Sequence, residues 1–181
     1  MSEQLAVLKI VATRLEGAAI PYMVSGSTAL SYYVQPRMTR DIDIVADVAV
    51  ARAEELAELF EADFYCDRAA IRRAIGERGT FNLVHLAFIV KVDFIVRKDS
   101  PYRREEFARR RRVRVDGTPI VLVAAEDLLL SKLASAKESR SEIQLADACI
   151  LAESVREIDW PYIERWAASL TLTELLAEVR A

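Results

Sequence analysis

Apolar residues return every three or four positions from Leu5 through Leu8, Val11, Ala12 and Leu15. That period predicts an amphipathic helix over 3–16, with Gly17 as its stop. The pattern then shortens. Residues 21–25 read as a short buried strand and 28–34 as a short helix, with Gln35-Pro36-Arg37 as a loop. From Arg40 to Ala46 polar and apolar residues alternate, which puts Asp41 and Asp43 on one face of a strand and Ile42 and Ile44 on the other. Helical spacing returns over 49–61 (Ala53, Leu56, Ala57, Phe60) and over 67–76, the latter ending at Gly76 or Gly79. Residues 81–86 and 88–96 are β-rich and predict two adjacent strands. In the second, Lys91, Asp93 and Ile95 share a face. Pro101 suits the start of a helix that runs to Arg110. Val113, Val115 and Ile120 to Val123 flank Asp116-Gly117, a hairpin signal that Thr118-Pro119 is expected to lengthen.

Beyond residue 124 no strand pattern remains. Helical periods cover about 125–138, 142–154, 160–169 and 172–180. The fold class expected is α+β: a core over 1–123 with a helical C-terminal part, 124–181, packed on it. At 181 residues, about half of them apolar, the chain suits a single domain with a real core. The net charge is −3. Cys66 and Cys149 are far apart and lack metal-type spacing, which predicts reduced, buried thiols. The first residues carry no apolar secretion signal and no stretch approaches the length of a membrane span, so a cytosolic protein without membrane partners is expected. The single histidine, His85, falls in a predicted strand and reads as structural.

The chemistry sits in residues 22–43 and at Asp93. Gly26-Ser27 is a small-residue turn that opens a helix, and a helix N-terminus is a seat for phosphate. Two carboxylates at i and i+2 on a strand, Asp41 and Asp43, suit a hard divalent cation that is shared with substrate phosphates. A solvated strand face would give the same acid pair. Three further features favour chemistry: the spacing to the Gly-Ser turn, Arg37 and Arg40 just before the pair, and a third acid, Asp93, in a later alternating strand. Three carboxylates on one sheet face repel one another unless a cation joins them. The cluster Arg103, Arg104, Arg109, Arg110, Arg111, Arg112 and Arg114 reads either as a phosphate-tracking patch or, preferably, as a solvated helix end and an arginine-blunted edge strand. Tyr32, Tyr33 and Tyr102 read as packing residues before base-stacking ones.

Gly26-Ser27, then Arg37-Met-Thr-Arg-Asp-Ile-Asp-Ile, then Val92-Asp-Phe resemble the nucleotidyltransferase superfamily related to DNA polymerase beta. Tyr22 to Leu30, Arg37 to Asp43, Glu126-Asp-Leu-x-x-x-Lys132 and Asp147 resemble its bacterial abortive-infection-type group, which extends the likeness to about residue 152. The final thirty residues carry no such likeness. The resemblance implies a nucleotidyltransferase fold, a mixed β-sheet flanked by helices. It also implies transfer of NMP from an NTP with Mg²⁺ or Mn²⁺ as cofactor. Asp41, Asp43 and Asp93 would be catalytic metal ligands, Asp93 alternatively a general base. Gly26 and Ser27 would bind the β- and γ-phosphates, and Arg40 or Lys132 would stabilise the departing pyrophosphate. Lys132 and Asp147 read equally as a solvated lysine and a helix-surface acid. The acceptor is left open among tRNA or other RNA, a protein and a small molecule. A toxin-antitoxin or phage-defence role with a partner protein encoded nearby follows from the resemblance alone. The rival readings are a catalytically silent binding module or antitoxin subunit of the same fold, and a nucleic-acid-binding regulator using the arginines.

Overall fold

The computed structural model describes residues 2–34 and 41–180. The expected loop at Gln35-Pro36-Arg37, and Arg40 with it, lie outside the described residues. The first helix, α1 (Glu3–Gly17), is capped by the Ser2 hydroxyl and buries Val7, Leu8, Val11, Ala12 and Leu15. The chain then enters β1 (Tyr22–Ser25), turns directly into α2 (Gly26–Tyr33), and returns as β2 (Asp41–Ala46) antiparallel to β1. A single 3₁₀ turn at Val50–Arg52 leads into α3 (Ala53–Phe60). A two-residue strand, β3 (Phe64–Tyr65), precedes α4 (Arg68–Glu77), which leaves the helix at Arg78 in the left-handed region rather than at a glycine.

The hairpin β4 (Thr80–His85) and β5 (Val90–Val96) follows, then α5 (Pro101–Ala108) and the hairpin β6 (Arg111–Val115) and β7 (Thr118–Leu122). The second hairpin corrects an expectation. Val115 pairs with Thr118, so Asp116-Gly117 is the whole turn, with φ of 44° and 79°. Both central residues at positive φ make it the tight hairpin type that suits strand twist. Pro119 is tolerated because it faces only Arg114 of β6, while β1 meets β7 near Leu122. The chain ends in four helices, α6 (Ala125–Ser139), α7 (Glu142–Ser154), α8 (Trp160–Ser169) and α9 (Thr173–Val179). Among the described residues no helix is long and apolar enough to cross a membrane.

The seven strands among the described residues form one mixed sheet in the order β3-β4-β5-β2-β1-β7-β6. Its alternation separates two faces. One carries Ile42, Ile44, Leu83, Val92 and Phe94, all fully buried, and Phe60 of α3 meets Phe94 edge-on at 5.9 Å between centroids. Sealing these side chains from water is the main stabilising term for this layer, at roughly 1.5–3 kcal/mol per large apolar side chain. The other face carries Asp41, Asp43 and Val45 from β2 and Lys91, Asp93 and Ile95 from β5, all half-buried. A sheet folds with one face closed by apolar packing and the other free for polar groups only if its strands alternate, as these two do.

Candidate active site

β2 and β5 run parallel and in register, with Asp41 opposite Lys91 and Asp43 opposite Asp93. Neighbouring strands lie about 4.8 Å apart, so the register alone brings the carboxylates of Asp43 and Asp93 together. β1 brings the turn: Ser25 pairs with Asp43, and the next residue is Gly26 at φ 58°. A Cβ built on Gly26 would collide with Asp43 Oδ2, so glycine is needed there both for its dihedral and for the close approach of the acid. α2 starts at this point. Ser2, Asp67, Ser100, Ser141 and Asp159 cap their helices with side-chain oxygens, whereas Ser25 makes no such bond to α2. The first-turn N–H groups of α2 therefore keep their capacity for an anion. The Thr28 hydroxyl donates to the Asp41 carbonyl (3.2 Å), and the Gln4 amide donates to the same oxygen (3.2 Å), which ties α2 and α1 to the start of β2.

Asp43 accepts no hydrogen bond from any described residue. Burial pushes its pKa up, and Asp93 and then Asp41 push it in the same direction, while Lys132 and Lys91 pull it down. That balance describes a carboxylate short of positive charge. Asp93 differs: Lys91 Nζ lies 2.8 Å from both of its oxygens. The Asp93 hydrogen bond raises the Lys91 pKa. Among the described residues no group of three or more His, Cys, Asp or Glu side chains is arranged to hold a metal ion. The donors fit a cation of another kind. Mg²⁺ commonly takes only one or two protein carboxylates and completes its shell with substrate phosphates and water. Asp41 and Asp43, beside an uncapped helix start, offer that set.

A groove of about 370 Å³ opens from Gly26, Ser27 and Asp43 and runs over Val45 and Ile95 toward Lys98 and Arg103. α6 walls it with Leu128, Ser131 and Lys132. Lys132 is 4% exposed and its Nζ donates to Asp147 Oδ2 at 2.8 Å. Both residues are buried, so neither is the solvated surface group that the sequence also allowed. α5 and α6 carry a second set of charges. Arg103 forks onto both oxygens of Glu106 (2.9 and 2.8 Å), and Ser131 donates to Glu106. Arg109 binds Asp127 (3.1 Å) and Glu126 (3.2 Å), and Tyr162 of α8 donates to Asp127 at 2.5 Å. Burial raises the Asp127 pKa to about 6 against the pull of Tyr162 and Arg109.

These contacts also account for the arginine cluster. Arg104 binds Asp99, Arg112 binds Glu16, Arg110 reaches the Phe107 carbonyl and ring, Arg111 approaches Glu126, and Arg114 donates to the Gly117 carbonyl. Every guanidinium of the cluster has a partner within the chain, and β6 lies at the edge of the sheet. His85 is buried, accepts the Phe88 N–H at Nδ1 (3.2 Å) and stacks on Phe88, in keeping with a structural role. Cys66 and Cys149 are free thiols, half-buried rather than buried.

The sequence matches no protein-family model and no curated protein. Solved structures do match it. An antigenic nucleotidyltransferase-like protein from Paracoccidioides brasiliensis aligns at a TM-score of 0.64 and 17% identity, covering 99% of this chain and 94% of that one. A nucleotidyltransferase-like structure from Thermotoga maritima aligns at 0.55 and 18%, covering 78% and 89%. The lincosamide antibiotic adenylyltransferase LnuA, bound to lincomycin, aligns at 0.57 and 12%, covering 86% and 98%. At these identities what the chain shares with them is its architecture, and that architecture is the nucleotidyltransferase fold.

Proposed function

We propose that the protein is a metal-dependent nucleotidyltransferase that moves NMP from an NTP to an acceptor hydroxyl. The observation that carries this reading is the in-register pairing of Asp43 with Asp93 beneath the Gly26 turn. A sheet that crowds acids against a helix N-terminus is suited to a cation and phosphates that arrive together. When bound, Mg²⁺ or Mn²⁺ would neutralise the triphosphate and polarise the α-phosphate.

The chain's own residues do the rest. Asp41 and Asp43 hold the cation. The N–H groups at Gly26 and Ser27 receive the β- and γ-phosphates. Asp93, on the outer side of Asp43, takes the proton of the acceptor hydroxyl as its oxygen bonds to the α-phosphorus. The bond from the α-phosphorus to the bridging oxygen breaks, and pyrophosphate departs toward Lys132, whose ammonium offsets the developing charge. Little else is required, since phosphoryl chemistry of this kind runs on positioning and charge.

The abortive-infection-type likeness is supported by the meeting of its two late motif residues, Lys132 and Asp147, in one buried ion pair. A small-molecule acceptor has support from the lincomycin-bound LnuA of like fold. An RNA acceptor tracked by the arginine cluster has less, because those arginines are engaged within the chain. The toxin-antitoxin role and a partner protein encoded nearby stay part of this proposal, on the motif likeness alone.

The test is label transfer from each α-labelled NTP, with Mg²⁺, to cellular RNA, protein and hydroxyl-rich antibiotics. Wild type should label one acceptor class, and Asp41→Asn/Asp43→Asn should lower the rate by about a thousandfold or more. No transfer together with no Mg²⁺-dependent NTP binding would reject the enzyme and leave a binding module of this fold.

A further inference from the structure

The acid-bearing face of the sheet does not stop at Asp93. Asp93 of β5 stands opposite Asn82 of β4, and Val84 of β4 pairs with Lys91 on one side and with Tyr65 of β3 on the other. Residues paired across antiparallel strands share a face, with Cβ atoms about 5 Å apart. Alternation settles which face. Phe81, Leu83 and His85 are buried on the core side, and Phe64 meets the His85 ring edge-on at 4.9 Å between centroids. Thr80, Asn82, Val84 and Tyr65 therefore project to the opposite side, together with Asp93. There Thr80 and Asn82 are exposed, Val84 is half-buried and Tyr65 is 61% exposed. At the tip of the β4–β5 hairpin, Leu86 and Ile89 are exposed as well. The groove under α5 and α6 starts at Asp43 and is lined by none of Asp93, Asn82, Val84 or Tyr65. The sheet thus offers a second surface, a shelf that leads outward from Asp93 to the β3 edge.

We propose that this shelf is the acceptor subsite, with Tyr65 stacking on an aromatic ring of the acceptor and Asn82 hydrogen-bonding beside the hydroxyl held at Asp93. The inference rests on the nucleotidyltransferase reading and names the acceptor's chemistry. The side chains that β3 and β4 present on this face carry no charge, and Lys91 is bonded to Asp93. The part of the acceptor that lies on the shelf is therefore neutral. A phosphate backbone would meet no cation on β3 or β4, and a polyamine no carboxylate. Tyr65 is two strand spacings from Asp93, so ring and hydroxyl stand roughly 10 Å apart. A tyrosine ring gives a large, rigid contact surface at small entropic cost, and the Asn82 amide both donates to and accepts from hydroxyls. The acceptor class that fits is a neutral small molecule with hydroxyls at one end and an aromatic ring at the other.

The experiment is saturation-transfer NMR on the full chain with Mg²⁺ and a non-hydrolysable analogue of each NTP in turn. The probes are para-nitrophenyl glucoside and para-nitrophenyl maltoside, both neutral, beside the polycation kanamycin and an oligoribonucleotide. A neutral probe should bind through its ring. Tyr65→Ala should weaken that binding by about tenfold, and Asn82→Ala by about threefold to tenfold. Tyr65→Phe keeps the ring and should bind as wild type. Both positions are exposed, so the variants should fold and bind nucleotide unchanged. With Mn²⁺ in place of Mg²⁺, the hydroxyl end of the probe should relax faster than its ring. No binding of either neutral probe, binding that both alanine variants leave unmoved, or a ring that relaxes faster than the hydroxyl end would overturn the proposal alone. A Tyr65-dependent preference for kanamycin or the oligoribonucleotide would do the same. So would sedimentation that shows a dimer which Tyr65→Ala dissociates while probe binding stays unchanged. Absence of Mg²⁺-dependent nucleotide binding would overturn the underlying nucleotidyltransferase reading and this proposal with it.

Discussion

Two clusters of acid, one buried at α6 and one half-buried on the sheet beside it, are treated in opposite ways. In the wall formed by α5, α6 and α8, Glu106, Glu126 and Asp127 are at most 2% exposed, and each meets an arginine, with Ser131 and Tyr162 adding hydroxyl donors. On the sheet, Asp41, Asp43 and Asp93 crowd together, with Lys91 bonded to Asp93 and opposite Asp41, and an open groove beside Asp43. The wall is a closed account of charge that fixes how helices dock. The sheet cluster carries excess negative charge that the fold tolerates only at an open face. Buried acid by itself is therefore a poor guide to function; acid left short of donors next to a helix start is a better one.

Lys132 joins the two regions and should give the largest effect. It is 4% exposed and paired with Asp147, which is as buried. Lys132→Met removes the ammonium from a buried ion pair and should cost about 3–5 kcal/mol by denaturant unfolding. Lys132→Met/Asp147→Leu removes both charges and should recover most of that stability. If Lys132 also serves departing pyrophosphate, the double variant folds and still transfers nucleotide poorly. Return of both stability and transfer would assign Lys132 to the structural side of the comparison.

Gly26→Ala attacks the sheet cluster alone. The residue sits at φ 58° and the new methyl would meet Asp43 Oδ2. The left-handed conformation costs an L-residue about 1–2 kcal/mol, and a thermal melt should show a loss of that order. Transfer should fall further, by about a hundredfold, since a displacement of about 1 Å at a reacting group has that effect. A full-rate Gly26→Ala enzyme would mean that the approach of the turn to Asp43 plays no part in the chemistry.

Much of this arrangement was legible because strand alternation fixes faces. Asp41 with Asp43, and Lys91 with Asp93, followed from a period of two. The helices after residue 124 followed from their spacing. What the chain did not disclose lies in pairings between distant residues. Nothing local says that Asp43 stands opposite Asp93, or that Lys132 turns inward to Asp147. Leu-Ser-Lys-Leu reads as well with the lysine in water. β3 was missed because two residues carry no period. The Asp116-Gly117 turn was lengthened because Pro119 argues against a strand, and only the sheet order shows that its missing N–H is not needed there. The arginine cluster, ambiguous as a run of charge, resolved only when Asp99, Glu16, Glu126 and Asp127 appeared beside it.

The smallest effect separates the two regions by pH. Burial raises the Asp127 pKa from 3.8 to about 6. An acid whose pKa is higher folded than unfolded binds its proton more readily in the native state, so it adds stability as pH falls through the folded value. Stability should then rise by about 1–2 kcal/mol between pH 7 and pH 5, and Asp127→Asn should flatten the slope. Carboxylates held low by arginine, such as Asp63 beside Arg14, lose their contribution only below their ordinary pKa and lie outside this window. Asp43 is also raised, by burial first and by Asp93 next, and contributes with the same sign. The two acids part company when Mg²⁺ and an NTP analogue are added. A cation that holds Asp43 ionised should erase its share of the slope, while Asp127, already enclosed by Arg109 and Tyr162, should keep its own. A slope that Mg²⁺ and nucleotide abolish entirely would place all the titration on the sheet and deny the wall its raised acid. A slope that they leave untouched would mean that Asp43 never met the cation.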